Sequence, residues 1–144
     1  MAHEATYTTE VAWKGAHWGH LAMGNGPEMD FSAPPDAYGH AGVLTPEDAF
    51  VAAANTCVMM MFLWACERFK IDLVSYDCHA EGFKQIALDR TETFTRVVLC
   101  PRVVVRGSDR RRIERALESA QKYSLVAHSI TSQLVVEPEV IIEE

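Results

Sequence analysis

Residues 45–69, TPEDAFVAAANTCVMMMFLWACERF, predict a long helix around which the rest of the chain is organised. Thr45 is the expected N-cap, and Pro46 occupies the first helical position, where its missing N–H costs nothing. Asp48, three residues after the cap, completes an opening that resembles a capping box. The middle of the stretch contains no charged residue, and apolar side chains occur on every face of the helix. A helix of this composition belongs in the interior of a structure.

The same stretch does not predict a membrane span. Its uncharged run, residues 50–65, is shorter than the roughly 20 apolar residues that cross a bilayer, and Asn55 and Thr56 interrupt it. No basic anchor flanks its N-terminal side. The beginning of the chain lacks the basic and apolar regions of a signal peptide. We therefore expect a cytoplasmic protein with reduced cysteines.

Length, charge and cysteine spacing restrict the class of protein further. The length of 144 residues predicts a single domain, residues 1–144. A net charge of −7 argues against a general nucleic-acid-binding protein, and the arginine run at 110–112 is interpreted as a solvated helix face. The four cysteines have no C-x-x-C spacing, which gives no support to a zinc knuckle or a thioredoxin-type site.

Short strands are predicted on both sides of the long helix. Residues 5–14 and 17–23 indicate a hairpin, and a third short strand is expected near residues 29–32. After the helix, alternating apolar and polar residues predict a strand pair within residues 72–105. Pro101 cannot donate to a ladder, so the second strand of this pair is expected at a sheet edge or at a bulge.

The last third of the chain predicts a second helix. Ser108 is its expected N-cap and Tyr123 its approximate end, and residues 124–130 indicate a further short helical segment before an extended tail. This order of elements predicts an α+β fold with antiparallel sheet. Because a long helix that is apolar on every face needs cover from more than one small sheet, we expect a homodimer.

Cys57, midway along the predicted helix, is the first candidate for chemistry. A buried thiol is commonly inert because burial raises its pKa, so reactivity requires a cationic or hydrogen-bonding partner. Glu47 is the second candidate, although a carboxylate in a first helical turn is also favoured by the helix dipole. The two residues are ten apart, about 15 Å along a straight helix. A joint role therefore requires an intermediary such as a cation.

The sequence resembles the OsmC/Ohr family, the osmotically inducible protein C and organic hydroperoxide resistance proteins. The motifs that carry the resemblance are LTPEDAFVAAANTC, the apolar helix, the strand pair 72–105, the segment QKYSLVAHSI and the W-x-G at residues 13–15. A Pro-Glu pair ten residues before a helical cysteine is its most specific part. The resemblance implies an OsmC-like fold in which antiparallel sheets wrap around two central helices of an intertwined homodimer, with an active site at the dimer interface.

The resemblance also implies a reaction. The helical cysteine, here Cys57, attacks the peroxide as a thiolate and becomes a sulfenic acid, which a second cysteine captures as a disulfide. The Pro-Glu carboxylate, here Glu47, orients an arginine that holds the thiolate. This chain departs from the pattern twice, because Ser124 stands at the second cysteine position and no arginine precedes Arg68. The cationic candidates in the N-terminal strands are Lys14, His17 and His20.

These departures lead to the hypothesis of a thiol-dependent protein that reduces organic hydroperoxides with an external thiol. Cys66 is nine residues from Cys57, about 13 Å along the helix, which is too far for a disulfide. Whether the chain is an active enzyme is left open by the two departures. The candidate catalytic residues are Cys57, Glu47, Ser124, His128 and His17, and the hypothesis needs no cofactor, metal ion, nucleic acid or membrane.

Two alternatives remain open. In the first, the protein is not an enzyme and its interface pocket holds a small apolar or acyl ligand against Met59, Met60, Phe62 and Trp64, with Cys57 as packing. In the second and weaker one, His17, His20 and His128 join Cys57 and Glu47 in a zinc site. For His128, the interpretations are a structural histidine, a polar pocket residue or a general base for Cys57.

Overall fold

The computed structural model describes residues 2–144, which form two compact units with the boundary between Phe50 and Val51. The elements in chain order are β1 (Thr9–Trp13), β2 (Trp18–Met23), β3 (Glu28–Ser32), α1 (Pro46–Arg68), β4 (Asp72–Ile86), β5 (Glu92–Arg106), α2 (Arg110–Tyr123), α3 (Leu125–Ser129), β6 (Gln133–Val136) and β7 (Glu139–Glu143), with a short 3₁₀ helix at Pro35–Ala37. The predicted α+β class is confirmed. Helix α1 begins in the first unit and ends in the second.

The first unit is an antiparallel sheet in the order β1-β2-β3, as the hairpin pattern predicts. Leu21 is paired with Val11 on one side and with Met29 on the other, so these apolar side chains share one face. The neighbouring positions His20 and Asp30 are paired on the opposite face. One-residue alternation therefore gives the sheet an apolar and a polar side.

Helix α1 starts where the sequence predicts. The Thr45 hydroxyl oxygen accepts the Asp48 N–H at 3.1 Å, and the hydroxyl donates to the Asp48 carboxylate at 2.9 Å. Pro46 is the first helical residue. By length and composition alone α1 is long and apolar enough to cross a bilayer, a property that core helices of soluble proteins share.

The core of the second unit lies between α1, the β4–β5 hairpin and α2. Helix α1 buries Ala54, Val58 and Phe62, and the Phe62 ring packs 5.4 Å from the ring of Tyr76 in β4. The inward positions of β5 and the inner face of α2 are also buried: Val97, Leu99, Val103, Val105, Ile113, Ala116, Leu117 and Ala120. The α2 positions have the spacing of one helix face, as predicted.

Strand β5 is the central strand of the second sheet, which corrects the predicted position of Pro101. It runs antiparallel to β4, as predicted, and parallel to both β6 and β7, so the predicted antiparallel pairing does not extend to the last two strands. Pairing with β6 ends at Leu99 and pairing with β7 begins at Arg102. Pro101, which has no N–H, lies in the break between these two ladders. A proline is therefore accommodated inside a sheet without an edge position or a bulge at that residue.

The start of α2 also differs from the prediction. Its N-cap is Asp109, whose carboxylate accepts the Arg112 N–H at 2.8 Å. Ser108 was the expected cap, but its hydroxyl oxygen is buried without a hydrogen-bond partner among residues 2–144. Serine and aspartate are comparable caps, so residue type alone does not distinguish the two positions. The predicted end at Tyr123 is confirmed, and the predicted extended tail forms the two strands β6 and β7.

Candidate functional site

Cys57 and Ser124 meet between α1 and the junction of α2 with α3. Ser124 is fully buried, and its hydroxyl oxygen lies 3.1 Å from the Cys57 sulfur. Cys57 is half-buried on α1. These two candidate residues, 67 positions apart in sequence, are brought into direct contact.

The Ser124 hydroxyl has two hydrogen bonds that fix its direction. As N-cap of α3, its oxygen accepts the Ala127 N–H at 3.2 Å. Its proton is therefore available to the sulfur of Cys57, which accepts it. The contact thus supplies the Cys57 sulfur with a hydrogen-bond donor.

All four cysteines are free. Burial, with a smaller contribution from Glu67, raises the pKa of Cys66 to about 11. Burial also raises the pKa of Cys78. Neither thiol is suited to form a thiolate near neutral pH.

His128 lies on α3 and has a partner other than Cys57. Its Nε2–H donates to the main-chain carbonyl of Lys122 in the last turn of α2. Carbonyls in a last helical turn have no partner within the helix, so this contact stabilises the end of α2. No hydrogen bond joins His128 to Cys57 in the described part of the chain.

The two other candidates belong to the first unit. The His17 ring stacks on Tyr38 with 6.1 Å between ring centroids. Glu47 lies in the first turn of α1, and its Oε1 is buried without a hydrogen-bond partner among residues 2–144. Each has unused capacity to bind another group.

The remaining N-terminal cations are held by carboxylates of β3. The Lys14 ammonium lies 3.0 Å from both oxygens of Asp30. His20 contacts Asp30 at 2.9 Å through Nδ1 and Glu28 at 3.2 Å through Nε2. The hydrogen bond to Asp30 is the largest cause that raises the pKa of His20, and the same bond lowers the pKa of Asp30.

The positions of these residues bear on the two alternatives predicted from the sequence, a zinc site and an apolar pocket. Residues 2–144 contain no group of three or more His, Cys, Asp or Glu side chains arranged to hold a metal ion, so the proposed zinc set is not assembled within the chain. Of the residues expected to line an apolar pocket, Phe62 is fully buried in the core. Trp64, in contrast, is 55% exposed.

Trp64 lines an open groove between α1 and α2 with a volume of about 290 Å³. The other lining residues are Met61, Ala65, Arg68, Ser119 and Tyr123. The Arg68 guanidinium donates to the Ser119 hydroxyl at 3.2 Å. Arg68 is not among the candidates predicted from the sequence, although positions 57, 61, 64 and 68 have the spacing of a single helix face.

Comparison with known proteins identifies the family. A family model described as OsmC-like protein matches residues 39–139. The chain belongs to the OsmC-like protein family. The predicted resemblance is thereby confirmed. A search of curated proteins gave no match for this OsmC-like chain.

Solved structures share the OsmC-like fold over nearly the whole chain. An OsmC-like protein of unknown function from Vibrio cholerae has a TM-score of 0.86 and 23% identity, over 94% of this chain and 100% of that one. An organic hydroperoxide resistance protein OsmC from Legionella pneumophila has a TM-score of 0.73 and 17% identity, over 97% and 99%. The organic hydroperoxide resistance protein OhrB of Bacillus subtilis has a TM-score of 0.65 and 16% identity, over 94% and 98%.

Proposed function

We propose that this OsmC-like protein reduces organic hydroperoxides at Cys57 and that an external thiol regenerates the enzyme. The observation that carries the proposal is the hydrogen bond from the Ser124 hydroxyl to the Cys57 sulfur. Two similar structures are described as organic hydroperoxide resistance proteins, which supports the same substrate class.

In the first step, the Cys57 thiolate attacks the peroxide. A bond forms between sulfur and one peroxide oxygen, the O–O bond breaks, and the alkoxide leaves and is protonated to an alcohol. Cys57 becomes a sulfenic acid. The Ser124 hydroxyl donates to the thiolate before the attack and keeps the sulfur in place.

In the second step of the proposed cycle, the reductant comes from outside the chain. Ser124 carries no thiol, and the Cys66 thiol is buried with a raised pKa. An external thiol therefore condenses with the sulfenic acid, forming a mixed disulfide and releasing water. A second external thiol attacks the mixed disulfide, releases the Cys57 thiol and leaves as the oxidised reductant.

In this proposal Glu47 is the orienting carboxylate, and His17 takes the place of the arginine that the resemblance implies. Glu47 has a buried carboxylate oxygen without a partner among residues 2–144, and His17 has no carboxylate within ion-pair distance in that range. Lys14 and His20 are less suited to the role because Asp30 already holds both. His128 supports the end of α2 rather than acting as a base.

We further propose that residues 1–144 form one domain of a cytoplasmic homodimer. Val11 is 68% exposed and Trp13 is 79% exposed on the apolar face of the β1-β2-β3 sheet. Met60, on α1, is 43% exposed. A second copy of the chain would remove such apolar surface from water. Light scattering should give twice the mass of one chain, whereas a monomer would contradict the assembly.

Mass spectrometry after one equivalent of cumene hydroperoxide, with a sulfenic-acid trap, tests the reaction. We expect rapid modification of Cys57 and slow modification of Cys66, Cys78 and Cys100. Cys57→Ser is the control and should lose the rapid phase. If Cys57 reacts no faster than the other three cysteines, the proposed peroxidase function is wrong.

A further inference from the structure

We propose that the groove between α1 and α2 binds the external reductant and that Arg68 recognises a carboxylate of that thiol. This inference rests on the proposed function, because it names the chemical class of the reductant that Ser124 makes necessary. The expected reductant is a carboxylate-bearing thiol of small-peptide size.

Arg68 is the charged group of the groove. Its guanidinium donates one hydrogen bond, to Ser119. No carboxylate of residues 2–144 lies within ion-pair distance of it. A guanidinium has five N–H donors in a planar fork that matches a carboxylate, so most of its donors remain available for an anionic ligand.

The distance from Arg68 to Cys57 sets the size of the ligand. Eleven residues of helix correspond to about 16 Å. Both side chains lean towards the N-terminus, but the arginine is much the longer, which shortens the gap between guanidinium and sulfur to roughly 10 Å. Three extended residues span about that distance. The groove volume of about 290 Å³ also suits a molecule of this size.

The groove is lined by near neighbours of Cys57 and of Ser124 in sequence. Its lining includes Met61, one helical turn beyond Cys57, and Tyr123, the residue before Ser124. A thiol that follows the groove therefore reaches the sulfur from the side of Ser124, where the resemblance places a resolving cysteine. The exposed rings of Trp64 and Tyr123 offer flat walls for the body of the ligand.

Thiol–disulfide exchange at Cys57 measures recognition of the ligand carboxylate by Arg68 without any peroxide reaction. With oxidised glutathione, the Cys57 thiolate attacks one sulfur of the disulfide, the S–S bond breaks, and a glutathione thiolate leaves. The product is a mixed disulfide at Cys57 that mass spectrometry detects. Oxidised 2-mercaptoethanol undergoes the same exchange without a carboxylate.

The experiment compares the rate of Cys57 mixed-disulfide formation in the wild type, Arg68→Gln and Arg115→Gln. Arg115 is the matched control, because its guanidinium carbon lies 5.6 Å from the Phe69 ring centroid, as that of Arg68 does, but it does not line the groove. We expect Arg68→Gln to slow exchange with oxidised glutathione about fivefold, as for loss of one exposed ion pair. Arg68→Gln should react with oxidised 2-mercaptoethanol at the wild-type rate. Arg115→Gln should react with both disulfides at the wild-type rate.

Three results would overturn the inference. The first is an unchanged rate of exchange with oxidised glutathione in Arg68→Gln. The second is a decrease of that rate in Arg115→Gln as large as in Arg68→Gln. The third is an equal decrease in Arg68→Gln with oxidised glutathione and with oxidised 2-mercaptoethanol. Sulfenic-acid trapping on the same samples tests the proposed function separately. Absence of sulfenic acid in the wild type with Arg68-dependent exchange would reject hydroperoxide reduction and retain the thiol-binding groove. Rapid sulfenic acid formation in the wild type, with an exchange rate that does not depend on Arg68, would retain hydroperoxide reduction and reject the thiol-binding groove.

Discussion

The hydroxyl oxygen of Ser124 lies 3.1 Å from the sulfur of Cys57, in a position from which a thiol would form a disulfide. The same hydroxyl is the N-cap of α3. One buried side chain therefore positions the Cys57 sulfur and starts a helix, and its replacement by different residues separates these two effects.

Ser124→Cys should convert Cys57 into half of an intramolecular disulfide. A contact of 3.1 Å needs only a small shift to reach the S–S distance of about 2.05 Å. After one equivalent of peroxide, we expect loss of two thiols and, in peptide mapping, a disulfide between Cys57 and the substituted position 124.

Ser119→Cys is the control for this variant. Residue 119 lies on α2 five residues before position 124, about 7.5 Å of helix, so its thiol should not be linked to Cys57. If peptide mapping of oxidised Ser124→Cys finds no link between Cys57 and position 124, the contact with Cys57 is not close enough in solution.

Ser124→Ala should both destabilise the protein and slow the reaction of Cys57. Loss of the N-cap of α3 is expected to cost about 1 kcal/mol, and the thiolate loses its donor. Asp109→Ala removes the cap of α2 and should cost a similar amount without changing the rate at Cys57. Denaturant unfolding and sulfenic-acid trapping distinguish the two variants, and an equal loss of rate in both would assign the effect to stability alone.

Phe62→Ala should be one of the most destabilising substitutions in α1. The side chain is fully buried against Tyr76, and truncation of such a phenylalanine costs about 3–5 kcal/mol. Trp64, two residues further, is half exposed, so Trp64→Ala should cost about 1 kcal/mol or less. Urea unfolding of both variants measures the difference, and similar losses would contradict the assignment of the core face.

The His20–Asp30 contact should stabilise the protein only in mildly acidic solution. The pKa of His20 is raised above 6.5 in the folded state, so its contribution is complete below 6.5 and disappears as pH rises through the raised value. The pKa of Asp30 is lowered from 3.8, so its contribution disappears only as pH falls through the lowered value. His20→Gln should therefore lower the Tm more at about pH 5.5 than at about pH 8.5.

His3→Gln is the control for this pH dependence, since His3 has no ion pair among residues 2–144. Thermal melts across the pH range should show no such trend for this variant. A His20→Gln effect that is constant with pH would mean that the contact does not depend on protonation of the imidazole.

Local chemistry explains which parts of the fold were predictable from sequence. Thr45, Pro46 and Asp48 mark the start of α1 through contacts within one turn, and the structure has those contacts. The direction of β6 and β7 depends on long-range pairing with β5, for which periodicity gives no signal. The prediction for Pro101 assumed that a strand has one continuous partner on each side, where a missing N–H would break the ladder. Strand β5 instead has two successive partners on one side, and Pro101 lies between them.

The candidate site was predictable to a similar degree. The family pattern singled out Cys57 and position 124, but their contact depends on the packing of α1 against the end of α2. The pattern could not indicate that His128 contacts Lys122, because a histidine at a helix end has several partners within reach. Arg68 was detectable in principle, since it follows Cys57 on the same helix face.

Pro101 has a further consequence for the unfolded chain. Residues 97–105, VVLCPRVVV, contain the most strongly β-forming segment of β5. Short apolar segments of this type self-associate into cross-β aggregates when they are exposed during synthesis or unfolding, and a proline or a charge within them blocks that association. In the native sheet the break between β6 and β7 accommodates Pro101. The same residue, with Arg102, should therefore protect the newly made chain from aggregation before the sheet has formed.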